Sequence, residues 1–121
     1  MAKRQGLDPG SIDAEILVFL SRRERARAVD VARGTGLNPK SVWQALQRLV
    51  RLGYVNKDEF DIYSITEVGL QEVQDLKADR LRRVKFFTAR LARHVDELSE
   101  EEVRILETLE TKVKDKLEKS K

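Results

Sequence analysis

The chain has 121 residues, with 24 Lys and Arg against 21 Asp and Glu, 40% apolar side chains and a formal net charge of +3. That suits one small domain with an extension and a single modest core, and the ordered periodicity excludes a disordered tail. With no Cys and His94 as the only His, a disulfide scaffold, Cys-ligated zinc, thiol catalysis and a histidine metal site are excluded, so no metal and no cofactor are expected.

Ser11 precedes an apolar run with Asp13 and Glu15 in the first turn, which predicts an N-capped helix from Ser11 to Ser21 behind the breaker Pro9-Gly10. Arg22 to Arg27 reads as a polar linker, and Ala28, Val29, Val31 and Ala32 as a short helix ending near Gly34. Gly34-Thr35-Gly36 then makes a tight turn. Asn38-Pro39 is a strong start signal for a third helix, Pro39 to about Leu52. Its Val42, Ala45, Leu46 and Leu49 form one buried stripe, while Lys40, Gln44, Gln47, Arg48 and Arg51 cluster on the opposite side. Trp43, at the stripe's edge, is expected to pack rather than to contact a ligand.

Residues 54–57 and 62–65 are rich in β-formers and predict a short hairpin across Asp58-Glu59-Phe60-Asp61. Thr66 is the N-cap of the next helix, which the sequence predicts to run uninterrupted to about Val95. Val84, Phe87, Leu91, Val95 and Leu98 step along it by three and four, as in a coiled-coil seam. Ser99 and Glu102 form a capping box for a last helix whose stripe is Val103, Leu106, Leu109, Val113 and Leu117. The fold class is therefore mainly α with a small β-hairpin wing. The organisation is a flexible N-terminus (1–10), a domain over 11–76, and a helical arm over 77–121 continuous with the helix starting near 66.

Charge is segregated along the chain. Residues 1–57 carry +6, 58–76 carry −6, 77–94 carry +6 and 95–121 carry −3. Such blocks suit a polyanionic partner; the competing reading is a set of solvated Arg-rich helix faces. Abundant Arg and Glu without Cys is also a thermophile-like composition. The longest apolar run, Ile16 to Leu20, is too short for a signal peptide or a membrane span. The expected location is the cytoplasm, at the nucleoid, with no membrane partner.

The stretch Val31-Ala32-Arg33-Gly34-Thr35-Gly36-Leu37-Asn38-Pro39-Lys40-Ser41-Val42, followed by Leu46, Arg48-Leu49 and Leu52-Gly53-Tyr54-Val55, resembles the helix-turn-helix of MarR-type and PadR-type regulators. Ser64-Ile65-Thr66-Glu67-Val68-Gly69 resembles the segment with which such proteins leave the wing, so the likeness covers roughly Ile12 to Leu76. The resemblance implies a winged helix-turn-helix whose third helix enters the major groove of double-stranded DNA. Arg48 and Arg51 suit guanine edges or phosphates, Gln44 and Gln47 adenine edges, and Lys40 and Ser41 phosphates. Arg22, Arg23, Arg25 and Arg27 would add sequence-blind backbone contacts. The plainer alternative is that all of these are solvated polar residues. The acidic wing tip departs from the family, and the wing is not expected to touch DNA.

The seam also fits the dimerising helices common in these families, because an apolar stripe on a projecting helix needs a cover. The chain is expected to lack the extra N-terminal dimerisation helix of MarR-type proteins. A homodimer is therefore expected on Val84, Phe87, Leu91, Val95, Leu106, Leu109, Val113 and Leu117. Phe86 beside Phe87 either helps line a small-molecule effector pocket or belongs to a plain interface. The basic run containing Arg80, Arg82, Arg83 and Lys85 is either a solvated face or a second DNA surface.

There is no phosphate loop, dinucleotide turn or nucleophile motif, so the chain is not expected to be an enzyme. The leading expectation is a sequence-specific, dimeric DNA-binding transcription regulator. The alternatives are a nucleoid architectural protein with little sequence preference, and a winged-helix module for protein contacts, which the acidic wing would suit.

Overall fold

The computed structural model describes residues 6–119, which form two units, one ending at Arg90 and the other beginning at Leu91. Residues 1–5 of the expected N-terminal tail lie outside the described residues. Residues 6–10, expected to be flexible with them, are tied down: Leu7 packs against the core, and the Asp8 carboxylate accepts the Gly10 amide at 2.9 Å.

In the first unit, helix α1 (Ile12–Ser21) begins at Ser11, whose hydroxyl accepts the Ala14 amide at 3.1 Å. Its Ala14, Ile16, Leu17, Val18 and Leu20 are buried, which makes it the hub of the core. Where a polar linker is expected, a two-residue strand β1 (Ala26–Arg27) forms instead. It joins β2 (Val55–Lys57) and β3 (Ile62–Ile65) in a sheet of order β1-β3-β2, with both neighbours antiparallel to β3. Ala26 pairs with Tyr63 and is itself buried, so the strand seals one side of the core.

Helix α2 (Ala28–Thr35) follows directly, the Arg27 amide donating to the Asp30 carboxylate at 3.1 Å. It stops at Gly36, whose φ of 73° places it in the left-handed region that ends helices. Gly34, expected near the helix end, lies inside it for a different reason: a Cβ there would sit 2.5 Å from the Phe19 ring. Helix α3 (Pro39–Arg51) starts as its sequence dictates, with the Asn38 side chain accepting the Lys40 and Ser41 amides at 2.9 and 3.3 Å.

The Thr66 hydroxyl accepts the Gly69 amide at 3.0 Å and donates to the Gly53 carbonyl at 2.7 Å, tying the start of α4 (Glu67–Ala78) to the turn that ends α3. The expected uninterrupted helix breaks at Asp79, whose backbone is extended at φ −82° and ψ 116°. Its amide closes α4 on the Asp75 carbonyl, and its carboxylate accepts the Arg82 amide at 3.0 Å to open α5 (Arg80–Arg93). An Asp acting as an N-cap splits a helix without Pro or Gly.

Two side chains hold α5 to the first unit. Phe86 is buried in the core of the first unit, rather than in the plain interface or the effector pocket expected for it. Arg82, expected on either a solvated face or a second DNA surface, turns inward instead. Its guanidinium pairs with the buried Glu72 carboxylate and donates to the Leu7 carbonyl, while the Tyr54 hydroxyl donates to the same carboxylate at 3.3 Å. A buried carboxylate requires such compensation, since an unpaired charge in the core is strongly destabilising.

The second unit holds a short 3₁₀ turn (Val95–Glu97) and helix α6 (Glu100–Lys119). The Ser99–Glu102 capping box is present: the Ser99 amide donates to the Glu102 carboxylate at 3.0 Å, and the Glu102 amide donates to the Ser99 hydroxyl at 3.2 Å. Among the described residues no helix is long and apolar enough to cross a membrane.

Candidate nucleic-acid interface

Val42, Ala45, Leu46 and Leu49 of α3 have no solvent exposure, so the rotation of the helix about its axis is fixed. At about 100° per residue, the outward arc then runs from Trp43 at one edge, through Gln47, Lys40, Arg51 and Gln44, to Arg48 at the other. The side chains of Lys40, Gln44 and Arg51 make no polar contact among the described residues and stand in solvent. Ser41 is half-buried at the first turn, and its amide is used by the cap.

Two of the expected contact residues already have partners. Arg48 donates to both carboxylate oxygens of Asp13 on α1, at 2.9 and 2.7 Å. That bond strengthens its hold on its proton beyond the usual guanidinium value. Such a forked pair on a half-exposed arginine contributes no more than about 1 kcal/mol to stability, yet it locks α3 onto α1. Gln47 donates to the Tyr63 hydroxyl at 3.0 Å and so ties α3 to the wing strand β3.

Sequence reasoning places Trp43 among packing residues, whereas its side chain is 55% exposed. It separates two shallow grooves, one lined by Gln44, Gln47, Arg48 and Arg51, the other by Arg27, Val29, Lys57, Asp61 and Tyr63. The signal was its position about 100° from Val42 around the helix, beyond the reach of a stripe as narrow as this one.

The arginines between α1 and α2 differ among themselves. Arg22 and Arg27 are exposed, Arg23 stacks over the Phe19 ring with 5.0 Å to its centroid, and Arg25 pairs with Asp58 at 3.0 Å. Of the candidate second surface, Arg82 is internal and Arg83 donates to the Lys77 carbonyl at 2.8 Å, which leaves Arg80 and Lys85 extending freely. The candidate interface residues Val84, Phe87 and Val95, with Leu109, Val113 and Leu117, are exposed, and Leu91 and Leu106 are half-buried.

The acidic wing tip has a structural explanation. The Asp58 carboxylate accepts the Phe60 and Ile62 amides at 2.8 and 3.0 Å, closing the loop, while Lys57 pairs with Asp61, whose φ is 60°. The Ile62 amide foremost, then the Phe60 amide and Arg25, hold the Asp58 carboxyl below its ordinary value.

Residues 10–56 match the family model described as winged helix-turn-helix DNA-binding. Among curated proteins none is significantly similar in sequence. Solved structures with the same fold include a multiple antibiotic-resistance repressor (MarR) from Listeria monocytogenes, at 17% identity and a TM-score of 0.54 over 89% of this chain and 75% of that one. A MarR family transcriptional regulator from Streptomyces coelicolor matches at 18% identity and 0.53, over 87% and 72%. Bordetella bronchiseptica BpsR, whose DNA binding is regulated by 6-hydroxynicotinic acid, matches at 18% and 0.54, over 85% and 73%. The chain thus has a MarR-like winged-helix fold.

Because the folded state holds Asp58 ionised more firmly than the unfolded state does, its contribution is present above the unfolded value of about 3.9 and is lost as pH falls through the lower folded value. In an NMR titration the Phe60 and Ile62 amides are expected to shift together with a midpoint below that of a free Asp. A midpoint at or above it contradicts the loop-closing role.

Proposed function

We propose that the protein is a sequence-specific double-stranded DNA-binding transcription regulator that acts as a homodimer, with α3 lying in the major groove. The observation that carries this reading is the outward arc of α3, which offers Lys40, Gln44 and Arg51 to solvent from a helix clamped to its neighbours through Arg48 and Gln47. Arg matches guanine bidentately, Gln matches adenine, and Lys at the first turn reaches phosphate. Arg22 and Arg27 supply further positive charge for the backbone. The MarR-like fold and the match over residues 10–56 support the same reading.

Arg48 acts as a clamp first, its guanidinium being committed to Asp13. Asp58 of the wing is likewise committed to its own loop and to Arg25, and Lys57 to Asp61, so the wing adds little to DNA affinity. The protein is read as a binding protein rather than an enzyme, located where DNA is.

The test is a titration of duplex DNA at several salt concentrations, with fragments of random sequence compared against the DNA upstream of the protein's own gene. Tight, sequence-dependent binding is expected, with Arg51→Ala weakening it about tenfold and relaxing the preference at one base pair. Equal affinity for every duplex, collapsing with salt, contradicts base reading and favours an architectural role resting on Arg80 and Lys85.

For the dimer, the supporting observation is the set of exposed apolar side chains on α5 and α6, Phe87 at 60% and Leu117 at 61% among them. A second copy of the chain is the simplest cover for such surface. Sedimentation at micromolar concentration is expected to give a dimer that Phe87→Glu dissociates; a wild-type monomer contradicts the interface.

A further inference from the structure

Trp43 is the chain's only tryptophan, and the residue is 55% exposed at the edge of the polar, basic arc of α3. Exposed tryptophan is uncommon, because its large apolar face is more stable covered. Among the described residues of the first unit, none covers its exposed part. Val29 at the start of α2, itself 57% exposed, lines the same groove together with Arg27, and Lys57 lines it as well, paired with Asp61. The opposite side of the ring faces the groove of Gln44, Gln47 and Arg51. An apolar patch framed by cations and amides suits a partner that is polyanionic overall and carries small apolar groups between hydrogen-bonding edges.

Duplex DNA has one such group in the major groove, the C5-methyl of thymine, which projects beside the O4 acceptor and the adenine N6 and N7 edge. We propose that Trp43, with Val29, is a specificity-determining residue that packs against thymine methyl groups, so that the preferred site contains an A·T pair read jointly by Gln44 and the Trp43 ring. The proposal rests on the reading of α3 as the major-groove helix and adds to it a hydrophobic contact that none of the polar residues provides. The helix geometry permits the joint reading, since Trp43 and Gln44 both lie on the outward arc, about 100° apart, and a Gln–adenine contact leaves the paired thymine's methyl to a second side chain of that arc.

The experiment starts from a pool of random-sequence duplexes, from which the full-length protein selects its preferred sequence. That sequence is then synthesised with thymine and, separately, with deoxyuridine, which lacks only the methyl. Binding is read twice, by affinity and by the fluorescence of the sole tryptophan. The thymine duplex is expected to bind about fourfold more tightly for each methyl contacted and to change the Trp43 emission. Trp43→Ala, at an exposed position that the fold does not depend on, is expected to bind both duplexes equally, near the wild-type affinity for the uracil form. Trp43→Phe is expected to restore part of the difference. Equal wild-type affinity for the two duplexes overturns the inference while leaving the DNA reading intact. A thymine preference that persists in Trp43→Ala overturns it as well, by assigning the methyl contact elsewhere. If no duplex is enriched, the DNA reading fails and the inference with it, and the exposed ring then belongs to a protein-contact surface.

Discussion

The burial of one face of α3 is the constraint on which the rest depends. Four side chains without solvent exposure, Val42, Ala45, Leu46 and Leu49, leave the helix a single rotation about its axis. Large-to-small changes in such a stripe cost about 2–5 kcal/mol each, so the orientation is not negotiable on the scale of a small domain's total stability. Everything on the outward arc is therefore placed by packing on the inward one. The proposed reading residues are aimed by the core, with no device of their own to orient them.

Polar contacts then convert a fixed rotation into a fixed position. Arg48 forks onto Asp13 and secures α3 to α1; Gln47 meets the Tyr63 hydroxyl and secures it to the sheet; Arg25 meets Asp58 and secures the approach to β1 against the wing. Each is individually modest. Together they present α3 as part of one block with the wing and α1, which lowers the ordering cost of binding. Charge is divided to match. Asp58 and Asp61 of the wing tip close their own loop and neutralise nearby bases, while Lys40 and Arg51 of α3 remain available.

Much of this was legible in the sequence, because the signals were local. Ser11, Asn38, Thr66 and Ser99 all act as the caps their positions imply, and the stripe of α3 is read directly from its spacing. What escaped was non-local or depended on one side chain's choice of partner. The strand Ala26–Arg27 carries no β-forming signal and exists because β3 offers it a free edge. The break at Asp79 has no Gly or Pro to announce it. Arg82 reads as one more surface cation until Glu72, ten residues away, is seen to be buried and in need of it. Arg48 and Asp13 are thirty-five residues apart. An aromatic ring at the border of a stripe is ordinarily core, whereas Trp43 is 55% exposed at the edge of α3's outward arc.

The central claim, that α3 reads the major groove, is tested most directly by dimethyl sulfate footprinting of a bound duplex. The reagent methylates guanine N7 in the major groove and adenine N3 in the minor groove. Protection of guanine N7 is predicted in two patches about ten base pairs apart on one face of the DNA, as two symmetry-related helices require. Protection confined to adenine N3, with guanine N7 left reactive throughout the site, would contradict it.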